Sequence, residues 1–212
     1  MRIALIHALK HSIVPIETSF ARLWPDASLM NLLDDSLSAD LARDGHLTEA
    51  MTGRFLSLGR YAVDTGADAI LFTCSAFGPC IEAVARAYAP IPVLKPNEAM
   101  IEQAAARGRR IGLLSTFAPT LRSMPAEFPD SVEVVPKLVG GALAALDRGA
   151  RAEHDELVAD AARDLRDCDL IALAQYSMAP AAALVAEASG RPVLTTPDSA
   201  VLKLKQLLAV GA

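Results

Sequence analysis

The chain has 212 residues, 52% hydrophobic and 21% charged, with a formal net charge of −5, the balance of a well-cored globular protein. With no basic run and no interleaving of aromatic and basic side chains, it lacks the electrostatic footprint of a nucleic-acid partner. No stretch reaches the roughly 18 uninterrupted apolar residues of a spanning helix, which argues against a membrane. The first residues open directly into a strand pattern with no secretory or lipidation signal, so a cytoplasmic protein is expected.

From the first residue onward, short apolar runs alternate with Ala-rich amphipathic segments. Strands are expected at 2–7, 29–33, 68–73, 92–95, 110–115, 132–136, 169–174 and 192–195, as continuous apolar runs suited to a sheet covered on both faces. Helices are expected at about 37–65, 78–89, 97–107, 117–128, 140–149, 152–166, 178–188 and 198–209. Gly66, Gly108 and Gly190 follow helical runs, where a left-handed residue is expected. Pro79, Pro119 and Pro180 fall early in helices, where a missing N–H does no harm. Strand-helix alternation of this kind predicts parallel sheets with right-handed crossovers.

The pattern occurs twice. Ile3 and Ile111, Ile70 and Ile171, and Pro92 and Pro192 are matched pairs 108, 101 and 100 residues apart, so corresponding strands keep nearly one register. A repeat of about one hundred residues predicts two similar lobes rather than a solenoid. The expected fold is α/β, with two pseudo-symmetric doubly wound lobes, each built on a mainly parallel sheet of about four strands, and a cleft between them. The first lobe takes residues 1–98, joined by a C-terminal helix at 199–212, and the second takes 99–198.

One difference separates the copies. ADAILFTCSAFGP at 67–79 places Cys74 where a strand gives way to a turn, whereas CDLIALAQYSMAP at 168–180 places Gln175 there. In open parallel sheets ligands bind beyond the carboxyl ends of the strands. The candidate site residues are therefore His7 and His11, Thr73, Cys74, Ser75 and Ala76, Lys95, Ser115 and Thr116, Gln175, Tyr176 and Ser177, and Thr195 and Thr196. Asp34 and Asp35 are read either as caps of the helix beginning at Ser36 or as substrate ligands. Lys95 is either a solvated charge or a carboxylate partner. His46 and His154 read as surface residues, and Gly140-Gly141 as a helix start or a close-approach loop. Cys80 and Cys168 read as buried packing residues. Three cysteines give no disulfide framework and their spacing fits no zinc ligand set, so no metal is expected.

The segments IALIHALKHSIVPIE, GADAILFTCSAFG, IPVLKPNEAM, RRIGLLSTF, CDLIALAQYSMA and RPVLTTPDSAV together resemble the aspartate/glutamate/hydantoin racemase superfamily, and the opening segment also resembles arylmalonate decarboxylases. The resemblance implies an enzyme without cofactor or metal, acting on a small carboxylate-containing substrate and assembling as a homodimer or higher homo-oligomer. It also implies a cysteine after a strand in each half; here only Cys74 remains, which marks a single-cysteine variant of the arylmalonate decarboxylase-like branch.

The chemistry so implied is formation and protonation of a carbanion next to a carboxylate, of isomerase, racemase or decarboxylase type. Negative charge developing on the carboxylate oxygens then needs preorganised donors, which the hydroxyls and turn N–H groups supply. Cys74, at the start of a helix that favours thiolate, serves as base or, once protonated, as acid. Gln175 cannot exchange a proton near neutral pH, so two-thiol racemisation is not expected, and Tyr176, His7 or His11 would have to replace the missing thiol in any isomerisation. Two other readings stay open: a cysteine hydrolase with His7 or His11 as base, and a non-catalytic carboxylate-binding protein.

Overall fold

The computed structural model describes residues 1–210. It resolves into two compact units, Met1–Pro96 together with the chain from Ala200 onward, and Asn97–Ser199. Among the described residues no helix is long and apolar enough to cross a membrane.

In the first unit, β1 (Arg2–His7), β2 (Ser28–Leu33), β3 (Ala69–Phe72) and β4 (Val93–Leu94) form one parallel sheet in the order β2-β1-β3-β4. Its helices are α1 (Ile13–Leu23), α2 (Ser36–Asp44), α3 (Glu49–Asp64) and α4 (Gly78–Ala87). The second unit repeats the plan: β5 (Arg110–Ser115), β6 (Glu133–Leu138), β7 (Leu170–Leu173) and β8 (Val193–Thr195) lie in the order β6-β5-β7-β8, all parallel. With them go α5 (Glu98–Arg107), α6 (Ala118–Ser123), α7 (Ala142–Asp147), α8 (Arg151–Ala162) and α9 (Ala182–Ser189), and α10 (Thr196–Val210) follows β8. The expected fold of two like α/β units, each on a four-stranded parallel sheet, is the observed one.

The apolar runs form strands because both faces of each sheet are covered. In the second unit, Ile111, Leu113, Leu170 and Ala172 point into a core shared with Met100, Ile101 and Ala104 of α5. Their neighbours Leu114, Ile171 and Leu173 point the other way, into a core with Val158 and Ala162 of α8 and Val185 of α9. The period of two along a strand thus feeds two cores from one run. In the first unit, Ala4, Ile6, Ile70 and Phe72 pack on Met51 and Phe55 of α3 and on Ile81 and Val84 of α4. The ring of Phe55 lies 5.2 Å from that of Phe72 and 4.9 Å from that of Phe77. The edge strands β2 and β6 are half-exposed, and Pro136, which has no N–H to give, is tolerated in β6 for that reason.

One clamp closes both sheets at their amino ends. Asp68 Oδ2 accepts the Arg2 N–H at 2.6 Å, and its own N–H donates to Arg2 O at 2.8 Å. Asp169 Oδ2 accepts the N–H groups of Arg109 and Arg110 at 2.7 and 2.9 Å, and its N–H donates to Arg110 O at 2.7 Å.

Several expectations are corrected. The helix expected over 37–65 is broken at Gly45, whose φ of 71° ends α2, and restarts at α3, where Thr48 Oγ1 accepts the Met51 N–H at 3.2 Å. Gly66 and Gly190 are left-handed as expected, but Gly108 is extended, with φ −157°. Its requirement is space, since a Cβ there would lie 2.8 Å from Asp169 Cβ. Pro180 lies inside the 3-10 helix Tyr176–Ala181 that precedes α9. Gly141, with φ 78°, caps the start of α7.

Candidate active site

In the first unit, β3 ends at Phe72 and the chain stays extended through Cys74, with φ −128° and ψ 120°, before the 3-10 turn Ser75–Phe77 leads into α4. The thiol is half-buried, with one side against the α3–α4 core. Burial pushes its pKa up, and the N–H of Ala76, which donates to the sulfur, offsets this only in part. The expectation that the helix start would favour thiolate is therefore corrected: desolvation outweighs the local donor, and the resting group is the protonated thiol.

His7 ends β1 and is fully buried. Its Nδ1 lies 3.0 Å from Ser12 Oγ and 2.9 Å from Thr73 Oγ1, and its Nε2 lies 2.9 Å from Asn31 Oδ1. Asn31 in turn donates through Nδ2 to Glu17 Oε1 at 2.7 Å, so Oδ1 faces the ring and Nε2 carries the proton. Nδ1 is then the acceptor, taking a hydroxyl hydrogen from the Thr73 side, while Ser12 Oγ donates to Leu9 O at 2.7 Å. These roles follow from satisfying the network. Burial lowers the His7 pKa, against the Asn31 hydrogen bond and the Glu17 charge, which raise it. His7 thus has both ring nitrogens engaged in hydrogen bonds within the first unit.

Other first-unit candidates separate. Lys95 ion-pairs with Glu82 of α4 at 3.1 Å. His11 lies in the 3-10 turn Lys10–Ser12, half-exposed, while Ser75 and Ala76 form the turn after Cys74. Asp34 bonds at the start of α2: its carboxyl receives Ser36 Oγ at 2.6 Å and the Arg54 guanidinium, which also holds Asp40 at 2.6 Å, while Asp35, the N-cap, makes no side-chain cap bond. Although burial works against it, these bonds hold the Asp34 carboxyl below the usual range.

In the second unit, Gln175 follows β7 with φ −136° and ψ 144°, the same extended approach that Cys74 makes. Its Oε1 accepts three hydrogen bonds, from Thr116 N at 2.7 Å, Thr116 Oγ1 at 2.8 Å and Ser115 Oγ at 3.0 Å. Ser115 Oγ also accepts the Phe117 N–H at 3.1 Å, folding the end of β5 into a compact turn. Tyr176 is 3% exposed, its buried hydroxyl has no hydrogen-bond partner among the described residues, and desolvation pushes its pKa far up. Thr196 is fully buried, and its Oγ1 has no hydrogen-bond partner among the described residues. Thr195 and Ser177 are nearly buried, and Thr195 Oγ1 accepts the Asp198 N–H at 3.4 Å. His154, expected at the surface, is fully buried on α8.

Sequence reasoning did not single out Asn31 and Glu17. A lone amide inside the apolar run SLMNLL was the available signal for Asn31, and none existed for Glu17. Four large apolar side chains at matching strand ends were missed too: Leu33 and Leu138, which close β2 and β6, and Leu9 and Phe117, two residues past β1 and β5, are all exposed.

The profile of the Asp/Glu/Hydantoin racemase family matches residues 21–124. Allantoin racemase from Klebsiella pneumoniae superposes with a TM-score of 0.76 at 19% identity, covering 100% of this chain and 89% of that one. Glutamate racemase from Francisella tularensis subsp. tularensis SCHU S4, in complex with D-glutamate, gives 0.73 at 16% identity, covering 99% and 81%. A double mutant of arylmalonate decarboxylase in the liganded form gives 0.68 at 19% identity, covering 100% and 94%. No curated protein matches the sequence.

Proposed function

We propose that this chain, whose residues 21–124 match the profile of the Asp/Glu/Hydantoin racemase family, is a cofactor-independent cytoplasmic enzyme of that superfamily that protonates a carbanion next to the carboxylate of a small organic acid, with Cys74 as the sole thiol acid. The observation that carries the reading is the unequal pair of strand ends: a thiol after β3 and, at the matching point after β7, an amide. Racemisation of both enantiomers needs a proton acceptor on each face of a planar intermediate, and an amide supplies none.

A resting thiol, kept protonated by burial, suits the protonation half of such a reaction. In a decarboxylation the C–C bond to the departing carboxylate breaks, carbon dioxide leaves, and the electron pair remains on the α-carbon and the surviving carboxylate. Cys74 then gives its proton to that carbon, and the thiolate recovers a proton from water. Donors aimed at the developing charge lower the barrier.

The hydrolase alternative gains no support from His7, because both of its ring nitrogens are taken. The test is incubation with substituted malonates, maleate-like diacids and amino acids in deuterated water. Product or carbon-bound deuterium is expected with the natural chain and absent with Cys74→Ala. Full activity in Cys74→Ala overturns the proposal, and silence of the natural chain across the panel, with carboxylate binding intact, favours a binding protein.

A further inference from the structure

Gln175 is held by its oxygen. The donor 2.7 Å from Oε1 is a backbone N–H, which can only donate, and two hydroxyls, Thr116 Oγ1 and Ser115 Oγ, complete the set. Turning the amide over would set N–H against N–H, so its orientation is fixed by chemistry. Nε2 makes no hydrogen bond among the described residues, and the side chain is half-exposed. The side chain is therefore a rigid donor whose two N–H groups are free while its acceptor side is saturated.

We infer that Gln175 is a ligand-binding residue that donates to an oxygen acceptor of the substrate, a carboxylate, and that Thr116 and Ser115 are positioning residues that fix it in the donor sense. A thiol at the same place would offer proton exchange and a weak hydrogen bond; the locked amide offers a strong neutral donor that no pH change near neutrality can reverse. The site accordingly selects a carboxylate oxygen there and rejects an ammonium group, which has only donors. This inference rests on the proposed carbanion chemistry for its substrate class, but it concerns binding and is measured without turnover.

The experiment is a titration of the natural chain, labelled with nitrogen-15, with malonate. The side-chain NH2 pair of Gln175, assigned through its own backbone, is expected to shift with saturation. In Gln175→Glu, where the carboxylate can still accept from Ser115 and Thr116, malonate affinity is expected to fall by about tenfold or more, since a donor is replaced by a like charge. Gln175→Asn, which keeps the amide on a shorter arm, should recover part of the loss. A Gln175 NH2 pair that stays still while malonate is added overturns the inference, as does a folded Gln175→Glu variant that binds malonate within about twofold of the natural chain. If Gln175→Glu does not fold, as judged by its thermal melt, the titration of the natural chain decides alone. Loss of deuterium incorporation in Cys74→Ala alongside unchanged malonate binding in Gln175→Glu would sink this inference and leave the carbanion reading standing; activity surviving in Cys74→Ala would do the reverse.

Discussion

Nδ1 of His7 and Oγ1 of Thr73 lie 2.9 Å apart, joining the end of β1 to the residue that immediately precedes Cys74. Ser12 closes the triangle, 3.0 Å from His7 Nδ1 and 2.9 Å from Thr73 Oγ1. The imidazole thus acts as a strut for the approach to the sulfur, with Nδ1 accepting while the ring is neutral.

Acid should loosen that strut. The His7 pKa lies below its ordinary 6.5, with burial as the main cause, so between the two values the unfolded chain takes up a proton that the native fold refuses. Stability is then fully present above about pH 6.5 and falls as the pH drops toward the lowered value. Urea melts across this window should show the decline, and His7→Gln, which cannot titrate, should flatten it. An identical pH slope in the variant would contradict the account.

Cys74 should be slow to alkylate at neutral pH. Burial raises its pKa above the ordinary 9.0, and the thiolate is the nucleophile. Iodoacetamide consumption, followed by mass spectrometry of the peptide containing Cys74, should rise only in strongly alkaline solution. A reaction that uses the thiol as acid keeps its rate below that pKa and loses it above, so the alkaline limb of the rate profile should coincide with the alkylation curve.

Gln175→Cys should introduce measurable racemisation of a bound carbon acid, detected by chiral chromatography, because it places a second exchangeable proton at the counterpart of the Cys74 position. Its KM should also rise, since the locked N–H donors are lost with the amide. A folded variant with no gain in racemisation would count against the correspondence of the two strand ends.

Gly108→Ala should destabilise the protein by about 1–3 kcal/mol through overpacking. The extended backbone there suits any residue, but the new Cβ would lie 2.8 Å from Asp169 Cβ and 3.1 Å from Ile111 Cδ1. The crowding falls on the carboxylate that clamps Arg109 and Arg110. Chemical denaturation measures the loss, and an unchanged midpoint would show that the clamp can yield.

The strands and their doubling were legible in the sequence because fully covered sheets write themselves as apolar runs, and the runs at 2–7 and 110–115 coincide with β1 and β5. The break between α2 and α3 was not read, although its marks are local: Gly45 takes a left-handed φ of 71° that ends α2, and Thr48 caps α3. Strand-end polarity picked out Cys74, His7, Ser115, Thr116 and Gln175 as neighbours of their strand tips, but not which atoms each would spend on the fold. His7 looks in sequence like a free imidazole and is fully engaged. Tyr176 and Thr196 look like open hydroxyls and are buried. Hydrogen-bond accounting of this kind depends on partners such as Asn31 and Glu17, far away in sequence, that carry no local mark.

Phe72 and Phe77, on either side of Cys74, both lean on the single ring of Phe55 from α3. The backbone carrying the sulfur is therefore anchored at two shoulders to one aromatic post, and it cannot travel without unseating that post from the interior. Rotation about its own χ1 is the freedom this leaves the thiol, a swing on a braced mount.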